Sequence, residues 1–161
     1  MSEGSSGARK LGKTIDQLRV GDRGTFTKTI TDQDIYLYMG ITGDFNPIYV
    51  DSEYASRTRF REPIVPGILL AGLIVAGIST ELPGRGTITV SQHFNFVAPA
   101  KRGDVVTCEI EVIEVREREN RVVLRTTARN QNGELVVTGK SEVMPPPKVP
   151  SVLSYAFEDY P

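Results

Sequence analysis

The sequence predicts an α+β domain in which a curved antiparallel sheet wraps around one long apolar helix. The first observation is the segment from Gly67 to Thr80, which carries no charged side chain. A helix that is apolar on every side has to be covered on every side, so this segment belongs at the centre of the fold. The second observation is the strand-like texture of four later stretches, Thr87 to Val97, Asp104 to Arg116, Arg121 to Asn130 and Glu134 to Val143. One helix layer against one sheet layer is the arrangement that these segments favour.

Before the central helix, the sequence predicts one strand and two helices. The strand runs from about Arg23 to Ile30. A helix follows from Asp32 to about Thr42, because Thr31 offers an N-cap oxygen and acidic side chains suit the first turn. Gly43 ends this helix. A short helix is predicted through residues 52 to 55, where the preceding aspartate can act as a cap.

Local signals also mark the ends of the main helix and of the sheet. Pro66-Gly67 begins the helix, where the missing N–H of proline would have had no intrahelical partner. Gly72 and Gly77 lower the helix propensity, but they let a strand or a second backbone pass close to the helix. Asn132-Gly133 predicts that the last two strands form a hairpin. Three prolines at 145 to 147 end the sheet.

Length and composition fit one domain without a nucleic-acid or membrane partner. The 161 residues carry 19 Lys and Arg against 20 Asp and Glu, so the net charge favours neither nucleic acid nor an anionic membrane as a partner. Cys108 and His93 are each the only residue of their type, which leaves no intramolecular disulfide and no His and Cys metal cluster. We therefore expect a cytoplasmic protein without a metal. The predicted domain spans residues 13 to 144. The Ser- and Gly-rich stretch at 1 to 12 is expected to be disordered or left from cloning. The Pro-rich tail at 145 to 161 is expected to dock through its aromatic residues.

Two short motifs carry the strongest functional signal. They are Gly43-Asp44-Phe45-Asn46-Pro47, followed two residues later by Tyr49, and Pro63-Ile64-Val65-Pro66-Gly67. These segments resemble the MaoC-like, (R)-specific enoyl-CoA hydratase family, whose motifs read Gly-Asp-x-Asn-Pro-x-His and Pro-Ile-x-His-Gly. This chain has Tyr49 and Pro66 where the family has histidines, and Gly72 where its hydratases often have serine. The resemblance covers about residues 13 to 143 and implies the hot dog fold.

The resemblance implies addition of water to a trans-2-enoyl thioester, giving an (R)-3-hydroxyacyl thioester, or the reverse dehydration. This chemistry needs a base for water, an acid for the α-carbon and a donor for the enolate oxygen. Asp44 is implied as the base, and the N–H of Gly67, at the positive end of the central helix, as the donor. Tyr49 completes the predicted catalytic set as a hydrogen-bond donor, because a phenol with a pKa of about 10 is protonated at neutral pH. The predicted substrate-binding residues are Asn46, Pro47 and Pro66.

The resemblance also implies what the protein binds. The acyl group arrives on coenzyme A or on acyl carrier protein, and no cofactor is expected beyond the coenzyme A of the substrate. Members of the family dimerise by joining their sheets edge to edge, so we expect a homodimer or higher oligomer, or a heteromer with a related chain. Cations near the motifs can meet the phosphates of coenzyme A, although such side chains are commonly solvated surface: Arg59, Arg61, Lys101 and Arg102.

Each motif residue also has a structural interpretation. Asp44 can satisfy the N–H groups of its own turn, and Asn46-Pro47 can shape the backbone. Tyr49 can be a packed aromatic with its hydroxyl satisfied, and Gly67 can simply allow close packing.

Two further side chains with reactive groups are interpreted as structural. His93 lies beside Phe94 on a strand, faces the opposite side from it and has no carboxylate nearby in the sequence to orient it. Cys108 lies among alternating apolar residues and is interpreted as a small core residue.

Three functions stay open on the sequence alone. The first is a thioester hydratase or dehydratase with Asp44 as base and Gly67 as carbonyl donor. The second is a non-catalytic acyl-thioester-binding or partner subunit of a hot dog heteromer, which the loss of both histidines favours. The third is a hot dog thioesterase, in which a carboxylate activates water at the carbonyl. The order of the motifs favours hydratase over thioesterase descent, and any turnover is expected to be weak.

Overall fold

Five strands and three α-helices make up the part of the chain that the computed structural model describes, residues 11–148. They are β1 (Arg23–Thr29), α1 (Asp32–Thr42), α2 (Ser52–Ser56), α3 (Gly67–Thr80), β2 (Ile88–Phe96), β3 (Val105–Arg116), β4 (Arg121–Arg129) and β5 (Leu135–Met144). Short 3-10 helices lie at Ile15–Gln17, Pro47–Tyr49 and Glu117–Glu119. The predicted α+β class is confirmed, and each predicted element is present with its ends close to the prediction.

The strands form an antiparallel sheet in the order β1-β3-β4-β5-β2. The predicted hairpin between β4 and β5 is confirmed, and Gly133 in its turn has a φ of 79°, which glycine adopts without strain. β1 pairs with β3 at one edge of the sheet, and β2 pairs with β5 at the other. Within residues 11–148, the outer edge of β2 is therefore unpaired.

Helix α3 packs against the inner face of the sheet, and Gly77 marks a close approach. A Cβ atom added at Gly77 would lie 2.7 Å from Cδ1 of Ile110 and 3.0 Å from Cβ of Phe26. A larger side chain would push the helix away from the sheet, because the interior is close-packed. The close-packing role predicted for Gly77 is confirmed. Within residues 11–148 the same prediction is wrong for Gly72, since none of these residues lies within 4 Å of a Cβ added there.

The expectation that α3 is covered on every side is wrong for the described chain. Ile68 is 60% exposed, and Gly72, one turn further along the same face, is exposed as well. The sheet covers the other side, where Ile74 and Ile78 are fully buried. The helix runs from Gly67 to Thr80, and Pro66 is its N-cap. One apolar stripe of the central helix is therefore open.

At each end of the chain, the structure describes a few residues that lie outside the domain predicted from the sequence. Gly12 is ordered against the loop after α3, where its N–H donates to the carbonyl oxygen of Arg85 at 2.9 Å. Pro145 and Pro146 are buried directly after β5. The predictions for residues 1–10 and 149–161, including docking of the aromatic tail, lie outside the described residues. No helix between residues 11 and 148 has both the length and the apolar character needed to cross a membrane.

Candidate active site

The first motif begins where α1 ends. Gly43 terminates the helix in the left-handed conformation, with a φ of 74°. Asp44 follows, and its N–H donates to Oγ1 of Thr42 at 3.2 Å. The Thr42 hydroxyl in turn donates to the carbonyl oxygen of Tyr38 at 2.7 Å. The last turn of α1 therefore fixes the backbone from which the Asp44 side chain projects.

Asn46 and Pro47 shape the turn that follows Asp44. Oδ1 of Asn46 accepts a hydrogen bond from the backbone N–H two residues on, at 3.2 Å, and Pro47 begins a single 3-10 turn. This turn returns the chain so that Tyr49 lies beside Asp44. Asn46, Pro47 and Pro66, the three predicted substrate-binding residues, are not among the residues that line the cavity described below. Their positions agree with a role in shaping the backbone.

Two phenols meet at one oxygen of Asp44. The Tyr49 hydroxyl donates to Oδ2 at 3.0 Å, and the Tyr38 hydroxyl donates to the same atom at 3.1 Å. The two rings meet edge to face, with centroids 6.4 Å apart and an interplanar angle of 82°, a favourable aromatic geometry. Among the described residues, no group donates to Oδ1. One carboxylate oxygen is thus occupied by the protein, and the other is free.

Both phenols stay protonated at neutral pH. Burial raises the pKa of Tyr49 to about 12, and the hydrogen bond and negative charge of Asp44 act in the same direction. Burial also raises the pKa of Tyr38, again with a contribution from Asp44. Each ring therefore serves Asp44 as a hydrogen-bond donor, and neither is a base in its resting, protonated form.

The second motif supplies a backbone donor at the start of α3. Pro66 is the buried N-cap of the helix, and the N–H of Val65 anchors the segment to the carbonyl oxygen of Ala100 at 2.8 Å. The N–H of Gly67 has no acceptor within residues 11–148, and it lies at the positive end of the helix dipole. A Cβ atom at Gly67 would lie 3.0 Å from Cε1 of Phe96. A larger side chain here would have to displace the ring, so glycine fits this position best.

Asp44, Tyr49 and Gly67 line one cavity of about 370 Å³, which confirms the prediction that they converge. Much of the remaining wall is apolar and includes Ile64, Val65, Ile68, Leu70, Phe96 and Val97. An apolar cavity with a few convergent polar groups is the usual form of a small-molecule site. This one suits a ligand that carries a polar group next to an apolar chain.

Residues 19–133 match the family described as MaoC like domain, and this stretch contains both motifs and the whole cavity wall. The chain belongs to the MaoC-like dehydratase family. The family resemblance seen in the two motifs is confirmed.

The sequences of related proteins match this MaoC-like chain over most of its length. The (R)-specific enoyl-CoA hydratase of Rhodospirillum rubrum is 38% identical over 132 residues, which are 82% of this chain and 91% of that protein. The 3-hydroxybutyryl-CoA dehydratase of Methylorubrum extorquens is 38% identical over 134 residues, 83% of this chain and 85% of that protein. The unliganded structure of R-hydratase PhaJ1 from Pseudomonas aeruginosa superposes with a TM-score of 0.79 at 39% identity, covering 85% of this chain and 88% of that one. The hot dog fold is confirmed.

Two residues help to build this MaoC-like site although the sequence did not predict that they do. Tyr38 lies one turn before the end of α1, and this spacing is the only local signal that it reaches Asp44. Arg102 donates from Nη2 to the carbonyl oxygen of Tyr49 at 3.1 Å and pairs through Nη1 with Oδ1 of Asp32 at 3.2 Å. It links the start of α1 to the turn that carries Tyr49. Both of its partners are distant in sequence, so the local pattern gives no sign of this role.

Of the four cations predicted to meet phosphates, Arg59 lines the cavity. Its guanidinium lies over the Phe60 ring, 4.8 Å from the centroid, and it takes part in no salt bridge within the described chain. The other three are engaged elsewhere: Lys101 in a salt bridge, Arg61 with a backbone carbonyl and Arg102 as described above. Arg59 is therefore the member of the set best placed to meet an anionic ligand.

The two remaining reactive groups lie away from the cavity wall. His93 is exposed on β2 opposite Lys140, while Phe94 is partly buried, so the predicted alternation is confirmed. Cys108 is fully buried in β3, and burial raises its pKa to about 12. The thiol is thus an unreactive core group. No cluster of three or more His, Cys, Asp or Glu residues suited to a metal occurs in the described part of the chain.

Proposed function

We propose that this MaoC-like protein is a hydratase and dehydratase that interconverts trans-2-enoyl and (R)-3-hydroxyacyl thioesters. The observation that carries the proposal is the convergence of Asp44 and Gly67 on one cavity. Hydration requires a water molecule and the thioester carbonyl to be held side by side, and a carboxylate and a free N–H can hold them. The names of the two relatives, an enoyl-CoA hydratase and a 3-hydroxybutyryl-CoA dehydratase, describe the two directions of this reaction class.

In the hydration direction, Asp44 is the base. Its free Oδ1 takes a proton from water as the water oxygen forms a bond to C3 of the enoyl group, and the C2–C3 π electrons move onto the thioester as an enolate. The N–H of Gly67 donates to the enolate oxygen, where the negative charge develops. This donor comes from the backbone, so replacement of the preceding histidine by Pro66 leaves it in place.

Tyr49 supplies the second proton of the cycle. Its phenol, held in the acidic form by a pKa of about 12, protonates C2 and collapses the enolate to the 3-hydroxyacyl thioester. The resulting phenolate is a much stronger base than a carboxylate, so the proton gained by Asp44 returns to Tyr49. Protons balance over the cycle, because one hydrogen of water ends on C2 and the hydroxyl ends on C3. Dehydration follows the same steps in reverse.

The second candidate is a non-catalytic thioester-binding subunit. The observation that favours it is the state of the acid-base groups: neither family histidine is present, and one oxygen of Asp44 is already occupied by two phenols. A thioesterase would use the same carboxylate to direct water at the carbonyl carbon instead of C3. The three candidates differ in the products that they form from one substrate.

The deciding experiment is steady-state hydration of crotonyl-CoA, followed by loss of the enoyl absorbance and, in parallel, by release of free thiol. We expect loss of absorbance without thiol release, at a rate that Asp44→Asn lowers by about 100-fold to 10,000-fold, the usual contribution of a positioned base. The matched control is Asp16→Asn, which removes an exposed carboxylate outside the cavity wall and should leave the rate unchanged.

The other outcomes assign the other candidates. Binding of the saturated analogue butyryl-CoA without any turnover would indicate a binding subunit, and stoichiometric thiol release would indicate a thioesterase. Efficient turnover that is indifferent to Asp44→Asn would contradict the mechanism.

We also propose that a second copy of the chain, or a related chain in a heteromer, covers the β2 edge. Ile88 and Phe96 on β2 are 60% and 49% exposed, and the neighbouring Val97 is 57% exposed. Together with the open stripe of α3, they form an apolar surface beside an unpaired strand, which is the usual setting for pairing with another chain. Phe96 and Val97 also line the cavity, so a partner at this edge would complete its wall.

Light scattering at micromolar concentration tests the assembly. We expect a dimer that Val90→Lys on β2 shifts toward monomer, because a charge on an edge strand opposes pairing. Thr25→Lys on the opposite edge strand, β1, is the matched control and should leave the mass unchanged. A monomeric wild type would contradict the homodimer and leave the heteromer as the form to seek by co-expression with a relative.

We propose coenzyme A or acyl carrier protein as the carrier of the acyl group, and no cofactor beyond it. A near-zero net charge supports the absence of nucleic acid among the partners. The buried free thiol of Cys108 supports a reducing compartment, the cytoplasm.

A further inference from the structure

Tyr38 is tied to Asp44 through both its side chain and its main chain. Its hydroxyl donates to Oδ2 of Asp44 at 3.1 Å. Its carbonyl oxygen accepts from the Thr42 hydroxyl at 2.7 Å, and that hydroxyl accepts from the Asp44 N–H at 3.2 Å. These contacts close a ring of hydrogen bonds around the end of α1. A carboxylate held at its backbone and at one oxygen has little freedom to turn.

The two phenols reach Oδ2 from different structural elements. Tyr38 projects from α1, while Tyr49 comes from the 3-10 turn after Asn46. In the proposed mechanism, Tyr49 gives its proton to the substrate during each turnover and so changes its bond to Asp44. Tyr38 transfers no proton in this mechanism, so its hydrogen bond to Oδ2 can persist through the cycle.

We propose that Tyr38 is a positioning residue that keeps Oδ2 of Asp44 occupied and Oδ1 directed at the attacking water while Tyr49 exchanges its proton. This inference rests on the proposed hydratase function. The two tyrosines then divide the tasks of orientation and proton transfer at a site without histidine. The consequence is that Tyr38 affects the rate of the chemical step and leaves the binding of the thioester unchanged.

The test is Tyr38→Phe, which removes one hydroxyl and keeps the ring. We expect kcat for crotonyl-CoA hydration to fall by about 10-fold to 100-fold with KM unchanged, since small misplacement of a reacting group costs up to about 100-fold. The affinity for butyryl-CoA should match that of the wild type. Tyr36→Phe is the matched control, because Tyr36 is an exposed tyrosine on the same helix and outside the cavity wall.

Two further readouts separate positioning from general stability. Tyr38→Phe in an Asp44→Asn background should cost less than it does in the wild type, because the carboxylate that Tyr38 positions is already lost. Thr42→Val, which removes the bridging hydroxyl and keeps the side-chain shape, should lower kcat in the same direction and provides a second test if Tyr38→Phe folds poorly.

The inference is overturned if Tyr38→Phe and Thr42→Val keep the kcat of the wild type, or if Tyr36→Phe loses as much. It is also overturned if the loss in kcat is accompanied by an equal rise in KM and an equal loss of affinity for butyryl-CoA. A wild type without turnover would remove the proposed function together with this inference. That result is distinct from an active wild type whose rate is indifferent to Tyr38.

Discussion

The two sides of the cavity obtain their polar groups in different ways. On one side, Asp44 and its two phenols are side chains, and their chemistry depends on which residues the sequence places there. On the other side, the N–H of Gly67 is part of the backbone, and its position depends on where α3 begins. Both family histidines are replaced in this chain, one on each side, and the consequences differ.

Replacement on the Gly67 side costs the site no backbone donor. Pro66 fits as the N-cap of α3, and the N–H after it stays free and aligned with the helix dipole. Replacement on the Asp44 side changes the chemistry, because Tyr49 is a protonated phenol at the position where the family motif has histidine. Groups supplied by the backbone thus tolerate side-chain change, whereas groups supplied by side chains have to be assembled anew.

Among the variants that test this comparison, the largest expected effect comes from displacing the backbone donor. Gly67→Ala places a methyl group 3.0 Å from the Phe96 ring, so the start of α3 or the ring has to shift. The variant keeps the N–H but displaces it, so kcat should fall by up to the roughly 100-fold to 1,000-fold that loss of such a donor costs. Gly40→Ala on α1 is the matched control, because no described residue lies within 4 Å of its methyl group. Equal kcat values for the two variants and the wild type would contradict the dependence of the Gly67 N–H position on the Phe96 contact.

An intermediate effect is expected from restoring imidazole on the other side. Tyr49→His should raise crotonyl-CoA hydration by about 10-fold or more, since a group that titrates near neutral pH transfers protons more efficiently than a phenol. The pH profile of crotonyl-CoA hydration should change shape as well. With Tyr49, a pKa of about 12 keeps the acid protonated through pH 10, whereas the imidazolium of the variant is lost as pH rises past about 6.5.

Tyr54→His, at an exposed position on α2, is the control for Tyr49→His and should leave the profile unchanged. No gain from Tyr49→His, together with tight binding of butyryl-CoA, would move the protein to the binding-subunit class.

The smallest expected effect concerns the mouth of the site. Arg59→Ala should raise KM for crotonyl-CoA several-fold and leave kcat unchanged, because an exposed charge contact contributes roughly 1 kcal/mol or less. Arg57→Ala removes a neighbouring arginine that already pairs with Glu53 and should leave both constants unchanged. An acyl substrate on a short pantetheine thiol, which lacks the phosphates, should abolish the difference between Arg59→Ala and the wild type. Persistence of the difference would show that Arg59 meets another part of the substrate.

The fold was predictable because its signals are local. The uncharged run from Gly67 to Thr80, the strand alternation and the Asn132-Gly133 turn each specify an element, and all of them are present. The convergence of Asp44, Tyr49 and Gly67 followed from the motifs. The open stripe of α3 was not predicted, because the absence of charge does not reveal which face the sheet of one chain leaves uncovered.

The rest of the site was harder to predict because it depends on long-range contacts. Arg102 reaches back to Tyr49 and Asp32 across most of the first half of the domain. Tyr38 lies near Asp44 in sequence, but its hydroxyl becomes part of the site only because the chain reverses at Gly43. In both cases the residue type is ordinary for its position, and the function lies in the tertiary arrangement.

The contact between Gly67 and Phe96 joins two properties of the cavity. The ring packs where the Cβ of residue 67 would be, and it also forms part of the apolar wall. In the proposed function, carbonyl polarisation and the room left for the acyl tail are consequently set at one point. A substitution at Phe96 that changes the preferred substrate length should therefore also change the alignment of the carbonyl, whereas substitutions of wall residues further from α3 should change length preference alone.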